Sequence, residues 1–157
     1  MKKLIFLFAL SIFLYSCGGG DKKSSTSKPK APAAAPVDDG KGFGIITEVK
    51  LNNPLDQEMV ERGRLIYDMK CASCHKKSAK RVVGPGWAGL TDRRKPEWIM
   101  NMITNVETML DKDPTAQKLL EECLTRMPNQ NVSVDEARDI LEFIYQNDAD
   151  QKAKDAG

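Results

Sequence analysis

Five consecutive residues carry the reactive chemistry of this chain: Cys71-Ala72-Ser73-Cys74-His75. Two thiols three positions apart in a helical turn can reach two carbons on one edge of a flat macrocycle. A histidine directly after the second thiol then lies beneath its centre. That C-x-x-C-H spacing is the signature of covalent c-type haem attachment. Cys71 and Cys74 are the expected thioether anchors, and His75, the only histidine in the chain, is the expected proximal iron ligand. The sequence holds no second histidine for a bis-histidine iron. Two other readings of the thiols are weaker. A thioredoxin-type redox pair wants a βαβ setting, and the flanks show none. A structural zinc wants four ligands, and only Cys123 is left over beyond the N-terminal Cys17.

With His75 alone the iron keeps an open sixth position. The thioethers beyond the motif are Met100, Met102, Met109 and Met127. Met100 and Met102 fall in a predicted helix, where Met102 reads as core packing. Met109 falls in a loop just before a helix cap. Met127 precedes Pro128 and the polar stretch PNQN, and a following proline biases residue 127 away from helix. Soft thioether sulfur suits haem iron. Met127 is therefore the expected sixth ligand, with Met109 the next choice. His/Met ligation fills both axial positions and raises the reduction potential, which points to electron transfer without substrate chemistry. The rival is a haem enzyme or ligand sensor with a labile sixth site.

The elements that must position these residues are helical. Helix spacing places Met59, Gly63, Tyr67 and Cys71 on one face of a helix from about Gln57 to Lys70, with Asp56 as N-cap. Gly63 weakens that helix by about 1 kcal/mol relative to alanine, which makes sense if another helix crosses there closely. A second helix starts near Pro96, with Trp98, Ile99, Met102 and Ile103 as its apolar face. A third has Asp113 as N-cap, Pro114 at its first position, and Ala116, Leu119, Leu120, Cys123 and Leu124 along one stripe. Cys123 reads there as a small buried hydrophobe. The last opens with the capping box of Ser133 and Glu136 and repeats apolar spacing through Ala137, Ile140, Leu141, Ile144 and Tyr145. The expected fold class is all-α, about four helices. Residues 54–147 are the expected domain and 148–157 a frayed polar tail.

The start of the chain reads as a targeting segment. Lys2 and Lys3 precede an apolar run from Leu4 to Tyr15 that is too short to span a bilayer. Leu14-Tyr15-Ser16-Cys17 is similar to a bacterial lipobox, which implies a signal peptide at 1–16, an acylated Cys17 and anchoring to a membrane of the cell envelope. Residues 17–53 then read as a Gly/Ser/Lys/Pro/Ala tether, too polar to offset ordering entropy, with a weakly alternating extended stretch at Gly42–Leu51. As a coil such a tether spans about 30 Å. Cleavage before Cys17 leaves 22 basic residues of the original 24 against 22 acidic ones. That balance gives no bulk positive field for nucleic acid.

The stretch Leu55–Gln146 resembles class I cytochrome c. Its first helix carries the family's Gly-x-x-x-aromatic-x-x-x-Cys pattern as Gly63, Tyr67 and Cys71, followed by the haem motif itself. Gly84-Pro85 is similar to the family's Gly-Pro, which implies that the Pro85 carbonyl accepts a hydrogen bond from His75 and fixes its tautomer. Met127-Pro128 resembles the family's Met-Pro, and the helix with Leu141 and Tyr145 its closing helix, which crosses the first at the glycine. Trp87 departs from the pattern, where a smaller aliphatic residue is usual. The resemblance implies helices wrapped around one covalent haem c, single-electron shuttling between a redox donor and acceptor, and no small-molecule substrate. PEWIMNMI and MPNQN further resemble small monohaem lipoproteins associated with nitrous oxide reductase. Lys70, Lys76, Lys77, Lys80 and Arg81 bunch around the motif, which reads either as a solvated loop or as a docking patch for an acidic partner, and Arg93 or Arg94 is a candidate to meet a haem propionate.

Overall fold

The structure, a computed structural model, describes residues 39–156. The signal peptide at 1–16, the acylated Cys17 and the tether up to residue 38 lie outside the described residues. Six helices are present among the described residues, and no strand. They are α1 (Gln57–Lys70), α2 (Leu90–Arg93), α3 (Pro96–Thr104), α4 (Val106–Lys112), α5 (Pro114–Cys123) and α6 (Val134–Asp155).

The crossing of α1 and α6 organises the core. Asp56 caps α1 by accepting from the backbone N–H groups of Glu58 and Met59. The capping box starts α6, with Ser133 and Glu136 satisfying each other's backbone N–H. Gly63 is the contact point: a Cβ there would collide with the Asp139 carbonyl oxygen on α6. Beside it Ile140, Leu141 and Ile144 are fully buried. Arg62 adds a bidentate pair to Asp139 at 2.8 and 2.9 Å. Glu142, also fully buried, accepts from the Asp56 backbone N–H at 2.9 Å and pairs with Arg138. The two carboxylates thereby tie the start of α1 to α6 at two levels.

Five expectations need correction. The helix count is six, because α2 and α4 are short and carry too few residues for a readable apolar period. Met109 lies within α4 rather than in a loop, and its side chain is fully buried. The tail does not fray at 148: α6 runs to Asp155, since Asn147 and Asp148 are buried and hydrogen-bonded to loops beside it. The stripe of α5 is not continuous core. Only Ala116 is buried there. Leu124 adopts a left-handed φ of 55° that ends the helix and leaves it 88% exposed. On α3, Met100 takes the buried place expected of Met102.

Residues 39–53 are part of the folded body, so its edge precedes residue 54. Asn101 of α3, 1% exposed, accepts from the Ile46 N–H at 3.1 Å. Its amide donates to the carbonyls of Ile46 and Lys41 at 2.9 and 3.0 Å. Asn105 donates to the Phe43 carbonyl, and the Phe43 N–H points at the Met109 sulfur. The strap uses side chains where a strand would use a ladder, which is why alternation in Gly42–Leu51 reads only weakly.

Two outcomes follow from these contacts. Gly63→Ala lowers unfolding stability by about 3 kcal/mol, read as a drop in the urea midpoint. Asn101→Ala leaves the buried Ile46 amide groups unpaired and costs about 2–3 kcal/mol, read in the same titration.

Candidate functional site

The thiols sit where α1 runs out. The helix ends at Lys70, and Cys71 to Cys74 continue as tight turns. Cys71 and Ala72 both donate to the Tyr67 carbonyl, while Cys74 and His75 donate to the Cys71 carbonyl at 3.1 and 2.9 Å. Cys71, Cys74 and His75 therefore share one turn, as their spacing implies. Cys71 and Cys74 are both free thiols and half-buried. Burial, reinforced by the neighbouring Cys74 and opposed by Lys70, pushes the Cys71 thiol up to about 11. A redox-active pair wants the opposite shift. Among the described residues, no three His, Cys, Asp or Glu side chains converge as zinc would require.

His75 is held from three sides. Its Nδ1 is 2.9 Å from the Pro85 carbonyl oxygen. A carbonyl can only accept, so Nδ1 carries the proton and Nε2 keeps its lone pair for a metal. Its backbone carbonyl accepts from the Tyr67 hydroxyl at 2.6 Å. Trp87 lies against the ring, with centroids 5.8 Å apart. Burial lowers the His75 pKa, partly opposed by the Pro85 contact, a shift towards the neutral imidazole that ligation requires. Gly84 is needed here for space, since any Cβ would collide with the imidazole.

The loop carrying Pro85 is braced from within. Gly84 donates to the Cys74 carbonyl at 3.0 Å, and Trp87 to the Lys76 carbonyl at 2.8 Å. Arg93 donates to the carbonyls of Ala88 and Gly86. Trp87, the departure from the family pattern, packs 4.8 Å from Tyr67, which in turn meets Phe143 of α6 at 5.3 Å. The aromatic cluster dries the back of the histidine. Neither Tyr67 nor Trp87 counted among the expected site residues, although Tyr67 falls on the α1 face that leads into Cys71.

A crevice of about 710 Å³ opens beside Pro85 and Gly86 and is walled opposite by Pro114 and Leu119 of α5. That volume lies within the roughly 300–1,000 Å³ of cofactor pockets. Arg81, Arg93 and Arg94 line it, a cationic rim suited to propionates. Paired thiols and an imidazole whose Nε2 is left for a metal fit a covalent haem, and the crevice adjoins them through Pro85, although none of Cys71, Cys74, His75 and Met127 lines it.

Met127 lies in the irregular stretch between α5 and α6, half-buried against the core. Met109 is committed elsewhere: its sulfur lies 3.0 Å from the Phe43 nitrogen and it is fully buried beneath the strap. Cys123 is half-buried rather than core. The Arg81 guanidinium reaches its sulfur at 2.8 Å.

Comparison with known proteins agrees with this geometry. The cytochrome c family model matches residues 60–148. A cytochrome c from Rhodothermus marinus is 30% identical, with a TM-score of 0.67 over 69% of this chain and 92% of that one. An engineered cytochrome c from the same organism is 29% identical, with a TM-score of 0.65 over 68% and 91%. A form of it bound to a carbene intermediate is 30% identical, with a TM-score of 0.63 over 68% and 91%. The comparison with curated proteins returned no match.

Gly84→Ala forces the His75 ring aside at a cost of about 1–3 kcal/mol. The expected result is a smaller share of chains carrying covalent haem, measured as haem absorbance per mole of purified protein.

Proposed function

The chain belongs to the cytochrome c family, and on that premise we propose that it is a membrane-tethered carrier of single electrons in a bacterial cell envelope. Family membership brings covalently attached haem c and haem-based electron transfer. Bound here, the haem supplies an iron that exchanges one electron between its ferric and ferrous states. The single observation that carries the reading is the His75 arrangement, with Nδ1 bound to Pro85 and Nε2 left for iron.

Each residue then has a part. Cys71 and Cys74 anchor the haem edge. His75 ligates the iron, and the Pro85 carbonyl orients the ring and strengthens it as a donor. Met127 would supply the second iron ligand, kept out of helix by Pro128 and left available while Met109 is occupied by the strap. Tyr67 and Trp87 keep water from the proximal side. With His75 and Met127 both given to the iron, a small-molecule substrate would find no place there, which supports a carrier of electrons.

The finer reading rests on sequence. The lipobox-like Leu14–Cys17 supports an acylated Cys17, and the polar stretch behind it supports a tether that lets the domain reach partners. Basic residues Lys76, Lys77, Lys80 and Arg81 are all exposed beside the haem motif, which supports docking of an acidic redox protein. Likeness to small lipoproteins associated with nitrous oxide reductase suggests a terminal reductase of that kind as acceptor. Chemistry of the kind borne by the carbene-bound engineered relative would require a sixth position open to small molecules.

Mature protein from a host able to attach haem is expected to retain its Soret band after denaturation and to show the haem mass increment. Cys71→Ser together with Cys74→Ser abolishes both, and a colourless wild-type protein would sink the proposal. Met127→Ala is expected to admit carbon monoxide to the reduced iron and to lower the reduction potential, within the ~0.8 V that axial ligation spans. Rapid carbon monoxide binding by the unaltered protein would favour a haem enzyme or sensor instead.

A further inference from the structure

Two buried polar residues near the middle of α6 have no part in the core crossing. Asp148 is 2% exposed and Asn147 4%. Asp148 accepts from the Gly89 N–H at 2.7 Å, the Thr91 N–H at 2.8 Å and the Thr91 hydroxyl at 2.7 Å. Asn147 donates from its side-chain amide to the Lys77 carbonyl at 2.9 Å. Lys77 and Gly89 flank the loop that holds Pro85 against His75. Side by side on one helix, the two residues grip that loop at both ends.

Among the described residues, no other side chain of α6 hydrogen-bonds to the loop's backbone. Pro85 has no N–H of its own, so its carbonyl is placed only by the bracing of its neighbours. A buried carboxylate must be satisfied, and three short donors satisfy Asp148 only when the Gly89–Thr91 turn is seated. A hydrogen bond to the distal nitrogen of a ligating histidine raises its basicity. A stronger donor favours ferric iron, so the bond lowers the reduction potential.

We propose that Asn147 and Asp148 are positioning residues that tune the electron donation of His75 to iron by clamping the Pro85 loop at Lys77 and at Gly89–Thr91. The proposal rests on the haem-binding reading above, and it concerns two side chains whose hydrogen bonds go to Lys77, Gly89 and Thr91 and not to Cys71, Cys74, His75 or Met127. α6 thus does two jobs. Its first half builds the crossing with α1, and its second half fixes the proximal loop.

The test uses the full-length haem-loaded protein. Removing the Asp148 charge would itself raise the potential, so the deciding variants keep net charge: Asn147→Ala and Asp148→Glu. Asn101→Ala, a charge-neutral loss of buried hydrogen bonds on α3, is the reference for mere destabilisation. Two quantities are read: the midpoint potential, and amide hydrogen exchange at Gly89, Thr91 and Trp87. Asp148→Glu is expected to speed exchange at Gly89 and Thr91 by about tenfold, the effect of one hydrogen bond. Both deciding variants are expected to shift the potential upward, while Asn101→Ala leaves it in place. Should either variant fail to take up haem, the other carries the test. A potential unmoved in the haem-loaded variants overturns the clamp while leaving the electron-carrier reading intact. A wild-type protein without covalent haem overturns the electron-carrier reading instead, and is seen before any variant is made.

Discussion

Everything downstream of the core depends on how closely α1 approaches α6. Helices normally keep 8–10 Å between axes because side chains intervene. Here Gly63 removes one side chain, and the backbone of α6 at Asp139 takes its place. The close approach brings Phe143 of α6 against Tyr67 of α1, and so sets where the Tyr67 hydroxyl points. That hydroxyl holds the His75 carbonyl. A glycine placed four helical positions before the aromatic residue that meets the motif thus decides where the backbone of the histidine is held.

The haem turn is built from polar groups that burial would otherwise penalise. Peptide N–H groups of 71, 72, 74 and 75 all find carbonyls within the turn. The imidazole finds Pro85, and the loop bearing Pro85 finds Arg93, Asn147 and Asp148. Among the described residues no buried side-chain nitrogen or oxygen lacks a partner. Such satisfaction leaves the thiols and Nε2 as the groups at the turn with chemistry to spare. It also explains why the site can be rigid without any strand: rigidity comes from side chains reaching backbone, from α1 on one side and α6 on the other.

Much of this was legible in the sequence for a physical reason. Caps and close crossings are local: Asp56, Pro96, Pro114 and the Ser133–Glu136 box each announce a helix start within four residues. The C-x-x-C-H turn is likewise a local geometry. Asn101, Asn147 and Asp148 were not legible as structural residues. A buried polar residue looks like a surface one until its distant partners are known, and theirs lie 55, 70 and 57 to 59 positions away. The same blindness read a buried helix segment as a frayed tail and a clipped strap as part of a tether.

The sequence by itself determined that the chain is helical, where its long helices begin, and which three residues offer two thiols and an imidazole to a haem. Those facts depend on spacing within a turn or two, which chain connectivity already sets. Tertiary structure alone decided that Met109 is locked under the strap, that Arg81 meets Cys123, and that Asn147 and Asp148 serve the loop. These depend on which distant carbonyls, amides and sulfur meet once the apolar faces have closed, and no local pattern encodes that meeting.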